Sequence, residues 1–324
     1  MKTIFGFIRL VRPVNLLIIA FTMYAMRWGV LLTIVKTVDE GGALLCPEWK
    51  FALATSVMVL LAAAGNIIND YFDLRVDRIN KPDRVVVGKT VKRRVAMAAH
   101  HFCNALATLI GLYLAYTYDS ILMAFLPIFM GGMLWFYSLQ FKKQAWIGNF
   151  VVALMVGIVP IWAGLFEIKD QYHLMSVSGK NAALFLNNAW SWIGAYALFA
   201  FWLTLLREAL KDLEDLKGDK KVGFKTLPIV WGILGAKRYL HFLFFFFFML
   251  LAFGLFRFYG NLLDAKLSTA FWFMLSVGVI IPALFSWYKG ASAVHKAHYT
   301  SASAALKIAM AGGICIGVLM PFWW

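Results

Sequence analysis

The chain has 324 residues, 62% of them hydrophobic and only 15% charged, with a mean hydropathy of +0.75. Soluble domains run nearer half apolar and a quarter charged, so these figures exclude a soluble globular protein and describe an integral membrane protein. The net charge of +15 fits basic loops flanking membrane spans better than a nucleic-acid module. Three scattered cysteines, Cys46, Cys103 and Cys315, imply neither a disulfide framework nor a zinc site.

At the N-terminus, Lys2 through Ala25 sets basic residues ahead of an apolar run, as a signal peptide does. Arg9, Arg12 and Pro13 make a long basic lead and many more apolar runs follow, so an uncleaved first span is expected. Runs long enough to cross ~30 Å of hydrocarbon fall near 14–34, 51–69, 95–117, 120–139, 145–166, 190–206, 239–256, 268–287 and 303–322. The expected fold is therefore an all-α membrane protein of about nine spans, forming one polytopic domain over residues 1–324. Phe244–Phe248 lies inside a span and reads as lipid-facing or packing residues. Trp190, Trp192, Trp323 and Trp324 read as an aromatic interface belt.

The basic residues orient these spans. One side of a nine-span arrangement carries the N-terminus and the segments after spans two, four, six and eight, and collects 24 of the 31 Lys and Arg. The positive-inside rule makes that side cytoplasmic, with the C-terminus outside and an inner (plasma) membrane as the expected location. The long outer segments 36–50 and 167–189 read as short amphipathic pieces with no recognisable chemistry.

Acidic residues are few and concentrated. Of the 16 Asp and Glu, nine lie in two stretches, Asn66–Arg84 and Arg207–Lys221, and both stretches fall on the cytoplasmic side at the ends of spans two and six. Asn69, Asp73 and Asp77 are spaced i, i+4, i+8, with Asn66 one turn earlier. Glu208, Asp212, Asp215 and Asp219 follow steps of four, three and four. Each set forms one polar stripe on a helix. Carboxylates near hydrocarbon are costly, and two such stripes suit Mg²⁺, a hard cation that takes oxygen ligands and substrate phosphates. Basic residues beside them, among them Arg75, Arg78, Lys81, Lys211, Lys220 and Lys221, can pair with phosphate. Pro82 ends the first stripe and Gly218 with Gly223 loosens the second, so both are expected to run into loops able to close over a substrate.

These residues resemble the UbiA family of intramembrane prenyltransferases, which carries an Asn-x₃-Asp-x₃-Asp motif after its second span and an Asp-x₃-Asp motif after its sixth. Asn69, Asp73 and Asp77 match the first and Asp215 and Asp219 the second. The resemblance implies a ring of nine helices around a central cavity with a cytoplasmic cap. It implies Mg²⁺ held by Asn69, Asp70, Asp73, Asp77, Asp212, Asp215 and Asp219, with Asp70 and Asp212 in support. Weaker matches at Arg12-Pro13-Val14-Asn15 and Tyr137-Ser138-Leu139-Gln140-Phe141-Lys142 imply that Asn15 faces the cavity, that Lys142 contacts the diphosphate and that Tyr137 faces the allylic carbon; Arg12, with Asn66 and Arg84 of the first acidic stretch, is expected to join Asn15 and Lys142 in binding the prenyl diphosphate. The wording around both motifs looks most like the branch that joins a second geranylgeranyl chain to geranylgeranylglyceryl phosphate. Val85-Val86-Val87 departs from that pattern, where a Pro and a small residue are common.

The expected reaction is Mg²⁺-dependent ionisation of an allylic diphosphate and attack by a lipophilic acceptor drawn from the bilayer. The acceptor is either geranylgeranylglyceryl phosphate or an aromatic ring of quinone, chlorophyll or pigment synthesis. Asp73 or Asp77 is the candidate proton acceptor. A diphosphate-dependent cyclase or a lipid-phosphate glycosyltransferase on the same scaffold would retain the motifs. A cation-coupled transporter would instead place its acids near span midpoints, and these lie at span ends.

Overall fold

The computed structural model describes residues 2–262 and 268–322. Among them the structure is helical, and the strand-like pairings are two isolated bridges, Val87 with Val91 and Gln144 with Lys225. Among the described residues, nine helical segments are long and apolar enough to span a membrane: Pro13–Val38, Glu48–Phe72, Arg93–Tyr118, Ile121–Lys143, Ile147–Val177, Ala182–Val222, Gly232–Arg257, Thr269–Ala291 and Lys296–Phe322. Each contains most of one expected apolar run. A bilayer offers backbone groups no hydrogen-bond partners, so apolar segments of this length close their hydrogen bonds internally as helices. Trp323 and Trp324 lie outside the described residues.

By internal packing the chain divides into two compact units. The first comprises Met1–Ala20, Glu48–Val152 and Asp215–Val230, and the second Phe21–Pro47, Ala153–Glu214 and Trp231–Trp324. The division falls inside one continuous helix, Ala182–Val222, between Glu214 and Asp215.

In the first unit, the short helix Lys2–Val11 turns Leu10 inward and leaves Ile4, Phe5 and Ile8 exposed. Leu10 joins Ile67, Val86, Val87, Val91 and Ala96 in one apolar cluster. Val85, Val86 and Val87 are all buried, which corrects the expectation of a free loop after the first acidic stripe. The three valines that depart from the family wording fasten that segment to the core. At Arg12 the backbone turns left-handed (φ 56°), and Asn66 Nδ2 donates to the Val11 carbonyl at 2.9 Å, satisfying an orphan acceptor where one helix ends and the next begins.

In the second unit, a π-helical turn at Ala25–Leu31 carries a buried Arg27. Arg27 pairs with Glu167 at 3.1 Å and donates to the Cys46 carbonyl at 2.5 Å. Glu167 Oε2 also accepts from the backbone N–H groups of Leu45 and Cys46 at 2.9 and 3.2 Å. Gln171 donates to the Ala43 carbonyl at 2.6 Å, and Lys180 pairs with Asp39. The segments 36–50 and 167–189 thus take part in a polar network, buried at Arg27 and Glu167, that sequence reading did not find. Phe244 and Phe247 are fully buried, and Phe244 and Phe248 stack on Trp287, while Phe245 and Phe246 stay exposed. The phenylalanine run therefore divides between packing and the outer surface of its helix.

Candidate active site

The first acidic stripe keeps its helical register across the break between helices Glu48–Phe72 and Leu74–Asn80. The Asp73 N–H donates to the Asn69 carbonyl at 2.9 Å, Asp77 N–H to Asp73 at 2.8 Å and Lys81 N–H to Asp77 at 2.8 Å. This i to i−4 ladder stacks Asn69, Asp73, Asp77 and Lys81 on one face, as their spacing of four requires.

Asp70, Asp73 and Asp215 each meet a cation. Lys142, from the 3₁₀ turn Phe141–Lys143 that follows Ile121–Leu139, sets its ammonium 2.5 Å from Asp73 Oδ1 and 3.2 Å from Asn69 Oδ1. Arg12 pairs with Asp70 at 2.5 Å, and Lys81 pairs with Asp215 Oδ2 at 2.7 Å. Asp219 is buried, and the charges of Asp215 and Asp73 act on it. Burial, then repulsion from Asp73 and Asp70 with a further push from Asp215, raises Asp77 to about 7 against the pull of Lys81. Four carboxylates of two motifs, Asp73, Asp77, Asp215 and Asp219, therefore share one electrostatic neighbourhood. Concentrated negative charge of this kind favours a proton or a cation.

Asn80 and Gly218 join the two motifs more directly. Asn80 Nδ2 donates to the Asp215 carbonyl at 3.1 Å, and the Gly218 N–H donates to Asn80 Oδ1 at 2.9 Å. Contrary to the expectation from sequence, Gly218 does not loosen its helix. The helix runs through it to Val222, and Gly223 (φ 79°) ends it. A Cβ at Gly218 would fall 2.4 Å from the Asn80 amide, so glycine here permits a close approach. Neither Asn80 nor Gly218 stood out as a site residue. The signal available was that Asn80 and Lys81 continue the first stripe by three and four residues beyond Asp77.

The remaining expected residues are placed as follows. Tyr137 is half-buried in the last turn of Ile121–Leu139, and Asn15 is half-buried in the first turn of Pro13–Tyr24. Asn66 serves the Val11 carbonyl. Arg84 closes the 3₁₀ turn Pro82–Arg84, and its side chain lies outside the described residues. Asp212 stands in the second unit, where its charge acts on Tyr239. Glu208, from the same helical face, pairs there with Arg207 at 3.0 Å and Lys211 at 2.6 Å. Among the described residues, no three His, Cys, Asp or Glu side chains converge as a ready metal site. The donor set is nonetheless all carboxylate and amide oxygen, which is the chemistry of a hard divalent cation, so the residues fit Mg²⁺ by type.

Residues 16–312 match the model of the UbiA prenyltransferase family. The chain is 34% identical over 233 residues to a digeranylgeranylglyceryl phosphate synthase of Thermococcus sibiricus, covering 72% of this chain and 70% of that protein. Its fold is similar to that of a UbiA homolog from Aeropyrum pernix (TM-score 0.61, 17% identity, 92% of this chain and 97% of that one). It is also similar to a UbiA homolog from Archaeoglobus fulgidus bound to GPP and Mg²⁺ (TM-score 0.56, 15% identity, 96% of this chain and 99% of that one). With both acidic motifs in place on a nine-span helical fold, the chain belongs to the UbiA family of membrane prenyltransferases.

Proposed function

We propose that this prenyltransferase moves a geranylgeranyl group from its diphosphate to geranylgeranylglyceryl phosphate, at the cytoplasmic face of the plasma membrane. The observation that carries the reading is that Asp73, Asp77, Asp215 and Asp219 share one electrostatic neighbourhood, with Lys142 paired to Asp73, Lys81 paired to Asp215 and the Asn80 amide bonded to the backbone of the second motif. The relative from Thermococcus sibiricus, named for that reaction, supports the choice of acceptor. The excess of Lys and Arg beside the acidic motifs supports the orientation.

Asp73, Asp77, Asp215 and Asp219, with Asn69 and Asp70, would hold Mg²⁺, as a homolog solved with GPP and Mg²⁺ suggests. Bound there, the metal supplies positive charge to the departing diphosphate. Lys142, Arg12 and Arg84 bind diphosphate oxygens, Lys142 as a point charge and the arginines through planar forks. Asn15 and Asn66 line the same approach. Lys142 and Arg12 already stand beside the motifs, paired with Asp73 and Asp70, so positive charge is at hand where the diphosphate charge develops. Tyr137 offers its ring face to the allylic cation. The acceptor hydroxyl attacks that carbon, and Asp73 or Asp77 takes the hydroxyl proton. The surrounding apolar helices exclude water, which would otherwise capture the cation.

The test is pyrophosphate release by the purified protein with geranylgeranyl diphosphate and Mg²⁺, against a panel of glyceryl-phosphate ethers and aromatic acids. Release that depends on geranylgeranylglyceryl phosphate and is lost in Asp73→Ala and Asp215→Ala supports the reading. Release driven by an aromatic acid moves the acceptor to an aromatic ring, and no release with any pair in folded protein overturns the proposal.

A further inference from the structure

We infer that Asn80 is a positioning residue, whose side-chain amide fixes the Asp215–Asp219 pair in register with Asp73 and Asp77. The inference deepens the reading above and rests on it for the role of those four acids.

In an undisturbed α-helix the Asp215 carbonyl accepts from the N–H of Asp219, and the Gly218 N–H donates to the carbonyl of Glu214. Asn80 engages both of these backbone groups at once, donating to Asp215 O at 3.1 Å and accepting from Gly218 N at 2.9 Å. That task needs one donor and one acceptor on a short planar group. Asparagine supplies both, whereas aspartate lacks the donor. Gly218 is the matching half of the joint, because any side chain there would occupy the space of the Asn80 amide. Lys81, the next residue, adds its ammonium to the Asp215 carboxylate at 2.7 Å.

The joint coincides with a feature of the whole chain. Ala182–Val222 is one helix of 41 residues, yet its packing changes from the second unit to the first between Glu214 and Asp215, at the turn Asn80 grips. The second acidic pair is thereby gathered into the unit that carries the first. Helix geometry alone spaces Asp215 from Asp219, and Asp73 from Asp77. Only a tie between the two segments sets one pair against the other, and the Asn80 amide makes two of the hydrogen bonds that do so.

The test uses the full chain in detergent with Asn80→Ala, Asn80→Asp and Gly218→Ala. Three readouts are taken: Mn²⁺ binding by calorimetry, the Mg²⁺ dependence of pyrophosphate release, and hydrogen exchange of the segment 214–222. Residues that orient metal ligands typically change metal affinity about 10- to 100-fold, so Asn80→Ala and Gly218→Ala should weaken Mn²⁺ binding and raise the Mg²⁺ concentration for half-maximal release about tenfold or more. The acceptor KM should stay unchanged, and exchange should quicken in 214–222 while 185–205 keeps its wild-type rate. Asn80→Asp, which keeps one of the two bonds, should fall between wild type and Asn80→Ala. Wild-type metal dependence and exchange in folded variants would overturn the inference, as would faster exchange spread evenly over all helices. If the wild-type protein releases no pyrophosphate, the reading of the reaction fails by itself, and the Mn²⁺ and exchange measurements still decide the role of Asn80.

Discussion

The Lys142 ammonium lies 2.5 Å from the Asp73 carboxylate and 3.2 Å from the Asn69 side-chain oxygen, with both charged groups almost wholly buried. One lysine thus closes two positions of the first motif. Removing one partner of a buried ion pair leaves an uncompensated charge, at a cost of about 3–5 kcal/mol, whereas removing both is far milder. Lys142→Met should therefore lower the thermal unfolding midpoint of the metal-free protein sharply, and Lys142→Met/Asp73→Asn should recover most of that loss. Midpoints for the two variants that fall together would disprove the coupling.

The same lysine should matter separately to turnover. In the proposed reaction its charge moves from Asp73 to the departing diphosphate, and loss of one preorganised charge-stabilising donor typically costs about 100- to 1,000-fold in kcat. Lys142→Met should show that loss in pyrophosphate release, measured at a temperature where the variant stays folded. Lys142→Arg should retain part of the rate, because it keeps the charge but not the point-like ammonium. Equal rates for wild type and Lys142→Met would remove Lys142 from diphosphate handling.

Chelation provides an independent check on the acids. Burial, and then the charges of Asp73, Asp70 and Asp215, push Asp77 up to about 7, so a divalent cation bound beside it relieves unfavourable charge. Treatment with a chelator should abolish pyrophosphate release and lower the unfolding midpoint, and added Mg²⁺ should restore both. A ligand that binds only the folded state stabilises it by about 2.7 kcal/mol at 100 times its Kd. In Asp73→Asn/Asp215→Asn the added Mg²⁺ should no longer shift the midpoint. A full Mg²⁺ shift in that variant would place the ion elsewhere.

The acidic stripes were legible because their period is local. Asn69, Asp73 and Asp77 repeat every four residues, and that spacing alone puts them on one helical face. The nine spans were legible for the same reason, since each is a continuous apolar run. What escaped is pairing over long sequence distance. Asn80 and Gly218 are 138 residues apart, and nothing in either neighbourhood announces the other. Glu167 begins a segment that showed no recognisable chemistry, yet it is fully buried, with the backbone of Leu45 and Cys46, 122 and 121 residues away, folded onto it. Val85–Val87 registered as a departure from family wording. Only the packing of Leu10 and Ile67 against Val86 and Val87 shows why apolar residues stand there.

Glu167 supplies a stability test away from the acidic motifs. Its carboxylate holds Arg27 and two backbone N–H groups. Glu167→Leu should destabilise the protein by about 3–5 kcal/mol through the stranded Arg27 charge, with the Leu45 and Cys46 amides adding about 1–3 kcal/mol each where they stay buried. Arg27→Met/Glu167→Leu removes the stranded charge but not the orphaned amides, so it should recover only part of the loss. Full recovery in thermal unfolding would show that the two amides find other partners, and no recovery would show that the ion pair is not what holds this segment.

Close helix packing in the second unit gives the last expectation. Gly29, within the π-helical turn Ala25–Leu31, lies so near the Gly317 carbonyl that any Cβ would overlap it, and Gly278 and Gly312 approach each other in the same way. Small residues let membrane helices pack through their backbones, where dispersion and weak polar contacts replace the absent hydrophobic drive. A methyl group at either position meets backbone atoms, which cannot rotate away, and overpacking typically costs about 1–3 kcal/mol or more. Gly29→Ala and Gly312→Ala should each lower the unfolding midpoint, while Gly132→Ala, where a Cβ meets open space, should be neutral or slightly stabilising because alanine restricts the unfolded chain. If all three variants unfold at the wild-type temperature, the glycine contacts do not set the helix spacing.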